Sequence, residues 1–71
     1  MRNNLKTTRK LHSLTQEKTA KHIGVTIRQY KALEAGTSNG SVKVWEKLSE
    51  LFRENINYLL EQADDKISTK L

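Results

Sequence analysis

The sequence predicts an all-α fold, five helices in one compact domain, and three observations carry that reading. Proline is absent, and the three glycines, at positions 24, 36 and 40, fall where helices would have to stop. Leu, Lys, Glu, Gln and Ala are frequent, while alternating clusters of β-branched residues are missing. Val42, Trp45, Leu48, Leu51 and Phe52 recur at three- and four-residue spacing, the strongest amphipathic signal in the chain.

The first helix is expected over Asn3 to Ser13. Its apolar residues are sparse: Leu5, Leu11 and Leu14, with Thr8, Arg9 and His12 near the inner face. Thr15 is a good N-cap for a second helix through Ile23, and Glu17 in its first turn complements the helix dipole. Gly24 supplies the left-handed residue that lets the chain turn sharply. Thr26 opens the third helix, with Gln29 completing a Thr-x-x-Gln capping box, and Gly36 ends it. Thr37 to Gly40 form a loop. Ser41 caps the fourth helix, and Asn55 caps a short fifth one that turns Ile56, Leu59 and Leu60 inward. The folded domain is expected over residues 1–62, and the tail from Ala63 to Leu71, which has little to bury, is expected to be flexible.

At 71 residues the chain lies near the lower limit for folding without disulfides or metal, so dimerisation is plausible on size alone. There is no cysteine, and His12 and His22 stand ten positions apart, so no metal site or bound cofactor is expected. No Gly-rich phosphate loop, nucleophile–base arrangement or paired-carboxylate site points to an enzyme. No apolar run approaches the ~20 residues that span a bilayer, and a cytoplasmic protein without membrane contact is expected.

Net charge is +5, unevenly distributed. Residues 1–32 carry eight Lys and Arg (Arg2, Lys6, Arg9, Lys10, Lys18, Lys21, Arg28, Lys31) against Glu17 alone, whereas the rest of the chain has five basic and seven acidic residues. A basic half-molecule suits a polyphosphate partner, although it can equally be a solvated surface. Within it, residues 15–36 read as two short helices about a glycine turn. That is the layout of a helix-turn-helix, which sets its second helix into a DNA major groove.

Leu14-Thr15-Gln16-Glu17, Ala20, Ile23-Gly24-Val25-Thr26, Tyr30, Leu33-Glu34 and Gly36 together resemble the phage repressor/Cro-like, or Xre-type, family of helix-turn-helix DNA-binding proteins. The resemblance spans about residues 5 to 62 and implies a lambda-repressor-like five-helix domain with the motif in helices 2 and 3. Physical reasons accompany the pattern. Ala20 must be small where the two helices cross, and Ile23, Val25, Tyr30 and Leu33 form the wedge between them.

The resemblance implies roles residue by residue. Gln16 matches a glutamine that touches phosphate, with helix N-terminal amides beside it. Thr26 could cap its helix or face phosphate. Ile27, Arg28, Lys31 and Ala32 fall on positions facing base edges, and Gln29 could read adenine or close the capping box. Arg28 is the first candidate for direct readout, through guanine O6 and N7. Ile27 could meet a thymine methyl or fold back on the core. Arg9 and Glu34 match a buried ion pair linking the first helix to the recognition helix. The loop lacks the usual basic residues and proline, which leaves Asn39, Ser41 and Lys43 as phosphate candidates.

Trp45 is assigned to the core by its spacing with Val42, Leu48 and Phe52, His22 to the exposed surface, and Glu46, Glu50 and Glu54 to a solvated face. The expected function is a sequence-specific transcriptional repressor, bacterial or phage-encoded, binding double-stranded DNA at a palindromic operator. It would act as a homodimer through Tyr58, Leu59 and Leu60. The alternative is an antitoxin-type or anti-repressor module of the same fold that grips a protein partner such as a toxin.

Overall fold

A computed structural model of the chain describes residues 1–62; the tail expected to be flexible, Ala63 to Leu71, lies outside the described residues. Five helices follow in order: α1 (Asn3–Leu11), α2 (Gln16–Ile23), α3 (Ile27–Ala35), α4 (Val42–Phe52) and α5 (Ile56–Leu60), with no strand among the described residues. None of these helices is long and apolar enough to cross a membrane. Neighbouring pairs are α2 with α3 and α4, α1 with α3 and α5, and α4 with α5. The core they enclose is Leu5, Ala20, Ile23, Tyr30, Leu33, Trp45, Leu48, Phe52 and Leu59, flanked by half-buried Leu14, Val25, Val44, Leu51, Ile56 and Leu60.

Helix starts follow side-chain chemistry. The Thr15, Thr26, Ser41 and Asn55 side chains each accept an amide hydrogen bond from the first turn that follows. Only α1 begins without such a cap. Arg2 precedes it and ties its own backbone instead, donating N–H to the Glu34 carbonyl at 2.8 Å.

The ends of α1 to α4 share one device. Gly24 (φ +78°) bonds back to Lys21 O while Val25 N–H reaches Ala20 O at 3.0 Å, and Gly36 (φ +84°) closes α3 similarly through Thr37 N–H and Ala32 O. Ser13 (φ +58°) and Arg53 (φ +54°) adopt the same left-handed conformation without being glycine. Ser13 explains why α1 stops at Leu11 and not at Ser13: Ser13 N–H bonds Lys10 O and Leu14 N–H bonds Arg9 O, turning the chain into α2.

Two apolar residues leave the faces that spacing assigns them. Leu11, in the last turn of α1, is 78 % exposed although Leu5 and Thr8 on the same helix are buried. Val42 is 77 % exposed, because the stripe that buries Trp45, Leu48 and Phe52 runs beyond its cover in the first turn of α4. His12 lies at the core edge: it is exposed overall, but its ring meets Phe52 at 5.1 Å between centroids and its Nδ1 is 2.9 Å from Thr8 O.

A non-glycine residue in the left-handed region is strained, and Arg53 is exposed with no side-chain hydrogen bond among the described residues. Arg53→Gly is expected to stabilise the fold by about 0.5–1 kcal/mol, after allowing for the extra backbone entropy of glycine. Urea unfolding at neutral pH measures it, and an unchanged or lowered midpoint contradicts the assignment.

Candidate nucleic-acid interface

The α2–turn–α3 unit is built by local chemistry at its two caps. Lys18 N–H donates to Thr15 Oγ1 at 3.1 Å, and the Thr19 hydroxyl returns to Thr15 O at 2.8 Å. At the start of α3, Gln29 N–H donates to Thr26 Oγ1 (3.1 Å) and Thr26 N–H donates to Gln29 Oε1 (2.9 Å). This reciprocal box engages the Thr26 hydroxyl and half of the Gln29 amide. Bidentate reading of adenine needs both ends of the amide, so Gln29 could do so only by opening the box.

Behind the caps, α2 and α3 cross at Ala20, which is buried with Ile23, Tyr30 and Leu33. That packing leaves Ile27, Arg28 and Lys31 on the outside of α3, while Ala32 is half-buried. Ile27 is 40 % exposed, turned largely away from the core. Arg28 and Lys31 make no hydrogen bond or ion pair among the described residues, so their donors are available to a ligand.

A buried polar cluster fixes the far end of α3. Arg9 Nε donates to Glu34 Oε2 at 2.5 Å, and Nη2 lies 3.4 Å from Oε1. Nη1 bonds Leu14 O at 2.7 Å, fastening the turn between α1 and α2. Gln16 Nε2 adds a third donor to Glu34, at 3.3 Å. The first residue of α2 is thereby oriented by the last turn of α3, with its second amide hydrogen and its carbonyl oxygen left over. The Glu34 hydrogen bond holds the Arg9 guanidinium above its ordinary pKa.

Tyr30 is fully buried beside this pair, and its hydroxyl has no hydrogen-bond partner among the described residues. Burial first, and the Glu34 carboxylate second, push its phenol pKa upward. The hydroxyl contributes desolvation cost without a bond, while the ring fills the wedge.

In the loop after α3, the Asn39 carbonyl accepts the Trp45 indole N–H at 2.7 Å, and the Ser41 hydroxyl caps α4 through Val44 N–H at 3.3 Å. What the loop can offer a ligand is the Asn39 side chain, backbone amides and exposed Lys43. Gln29, Ser38, Gly40 and Ser41 line one shallow cleft with Gly24 and Val25, which brings the α3 cap and the loop to the same side.

One expectation needs correction. Leu59 is fully buried and belongs to the core, so it has no surface for a partner; Tyr58, 41 % exposed, and half-buried Leu60 remain on α5. Arg2, one of the eight basic residues of the first half, is 2 % exposed and bonds three backbone carbonyls. Nothing in a basic N-terminus distinguishes such a residue from a surface cation. With Arg9 also buried, the exposed positive charge of the first half rests on Lys10, Lys18, Lys21, Arg28 and Lys31. No group of three or more His, Cys, Asp or Glu side chains that could hold a metal gathers among the described residues.

A family model described as a helix-turn-helix domain matches residues 3–65. The chain is also 38 % identical over 66 residues to an uncharacterised HTH-type transcriptional regulator of Methanocaldococcus jannaschii, covering 93 % of this chain and 100 % of that protein. No solved structure gives a significant match.

Removing the Glu34 carboxylate strands a buried guanidinium and releases both α1 and Gln16. Glu34→Ala is expected to cost roughly 3–5 kcal/mol of stability, with Arg9→Ala similar and the double variant losing much less than the sum. Chemical denaturation of the three variants tests this, and additive losses would show that the pair is not coupled. Tyr30→Phe should be neutral or stabilising by up to about 1 kcal/mol at pH 7. Its raised pKa keeps the native phenol protonated while the unfolded chain ionises above pH ~10, so that Tyr30 lowers stability as pH climbs past that point. The phenylalanine variant should show a shallower alkaline decline, and identical pH profiles would refute the buried-phenol reading.

Proposed function

Because the chain belongs to the helix-turn-helix domain family, we propose that it is a DNA-binding transcriptional regulator, acting as a repressor at a palindromic operator. The observation that carries this is the presentation of α3. Capped, wedged by Tyr30 and anchored through Glu34, it holds Ile27, Arg28 and Lys31 outward on a basic face.

The proposed mechanism divides the contacts by chemistry. α3 enters the major groove with Arg28 toward guanine, Ile27 toward a thymine methyl, and Lys31, Ala32 and the free part of Gln29 along neighbouring base edges. Gln16 and its first-turn amides, the Thr26 end of α3, and Asn39, Ser41 and Lys43 meet the phosphates that set the register. A homodimer joined through Tyr58 and Leu60 places two such helices one DNA turn apart, about 34–36 Å, which is what makes the operator palindromic. Repression then follows from occupying promoter DNA in the cytoplasm, with no catalytic step and no cofactor.

Selection of bound sequences from a random duplex pool tests the reading. The wild-type chain should enrich a two-fold symmetric motif. Arg28→Ala should flatten the preference at one position in each half-site, a loss of about 1–3 kcal/mol of discrimination. Absence of enrichment would sink the proposal and favour a module that grips another protein.

A further inference from the structure

Arg2 is an arginine without a carboxylate. It is buried to 2 % exposure, and the one ion pair among the described residues is Arg9–Glu34. Three of its five N–H donors go to backbone oxygens: Nη1 donates to Leu33 O at 2.6 Å and to Ser38 O at 2.8 Å, and Nε donates to Leu60 O at 3.2 Å. Its Cζ lies 5.0 Å from the centre of the Trp45 ring. Leu33 is in the last turn of α3, where its carbonyl also accepts the Gly36 N–H at 3.3 Å, and Leu60 ends α5, so the cation sits at the carbonyl-bearing, dipole-negative ends of two helices. Burial lowers its pKa, but arginine remains charged and must keep these acceptors. A planar fork stacked on indole can serve several carbonyls at once, whereas a lysine ammonium is a point charge.

Two loop carbonyls are therefore drawn inward, that of Ser38 by Arg2 and that of Asn39 by the Trp45 indole. All peptides here are trans, so the amides that follow, Asn39 N–H and Gly40 N–H, are aimed the opposite way. Gly40 N–H finds the Ser38 hydroxyl at 3.3 Å, and Asn39 N–H has no acceptor among the described residues. The loop is pressed on α3: at Gly40 (φ +68°) a Cβ would lie 2.7 Å from Leu33 Cδ2 and 3.0 Å from Trp45 Nε1. Thr37 to Gly40 contain no basic side chain, so an anion met by these residues is met by neutral donors, the backbone amides and the Asn39 side chain among them.

We propose that Arg2 is a positioning residue for DNA: from inside the protein it holds the loop's carbonyls against the end of α3 and so turns the loop amides toward a phosphate. This rests on the DNA-binding reading above. The same guanidinium sets the loop's place relative to the recognition helix, so that phosphate grip and base reading engage one duplex together.

The test uses the full chain and the duplex it enriches from the random pool, with Arg2→Lys compared against wild type. Arg2→Lys keeps the charge and is expected to weaken binding about five- to tenfold, equally for that duplex and for single-base variants of it. In ¹⁵N-labelled wild type, the Asn39 and Gly40 amide signals should shift on duplex addition, and these shifts should be lost in Arg2→Lys. Phe52→Leu, a core truncation away from the loop, controls for stability and should bind as wild type at temperatures where both are folded. Equal affinity of Arg2→Lys and wild type overturns the role of Arg2 alone, as does a loss confined to one base position. A wild type that enriches no duplex overturns the DNA-binding reading and this proposal with it. Should Arg2→Lys fail to fold, the wild-type titration decides: shifts at Asn39 and Gly40 support the proposal, and their absence overturns it.

Discussion

A carboxylate placed under the last turn of α3 is the constraint around which this small domain is organised. Glu34 accepts Arg9 from α1 and Gln16 from the start of α2, and its own carbonyl receives the amide of Arg2. Three segments that must keep a fixed relation to α3 thus converge on one residue. Apolar packing alone would hold them less specifically, because the first helix has only Leu5 as a buried apolar side chain. Buried ion pairs contribute little net stability against an apolar replacement, but they penalise every arrangement in which either partner is left alone. In a chain this short, with an α3 of only nine residues, orientation is the property most in need of such a penalty.

The buried arginines divide the work at that end of the molecule. Arg9 is neutralised by a charge and joins α1, α2 and α3. Arg2 is solvated by carbonyls and joins α3, the following loop and α5. Between them they hold both ends of the proposed DNA-facing surface from behind: Gln16 through Glu34 on one side, the Ser38–Gly40 loop on the other. Positive charge in the first half of the chain consequently serves two purposes, and only the outer lysines and Arg28 remain to attract phosphate from solution.

Local features were the legible ones. Four N-caps, two glycine C-caps and the capping box each depend on residues within a few positions of one another, and their chemistry is the same in any surroundings. The turns at Ser13 and Arg53 were not legible, since neither residue type signals a left-handed conformation; packing on either side imposes it. The faces of Leu11 and Val42 escaped for a related reason. Helical spacing identifies a stripe but not where its cover stops. The Arg9–Glu34 pair was reached through family resemblance, because two charges 25 positions apart carry no local mark of burial.

Arg2 shows where local reading ends. Along the chain it is one more cation at a basic terminus, and its partners Leu33, Ser38 and Leu60 are recognised through backbone oxygens, which every residue possesses. Helix positions and caps follow from short-range chemistry written in side-chain identity, whereas the outward set Ile27, Arg28 and Lys31 was reached through family resemblance. Which charges face water and which are spent inside, and that Leu59 closes the core while Tyr58 stays outside, was decided only when the five helices packed. Burial is a property of what lies opposite a residue, and that is supplied by parts of the chain far away in sequence.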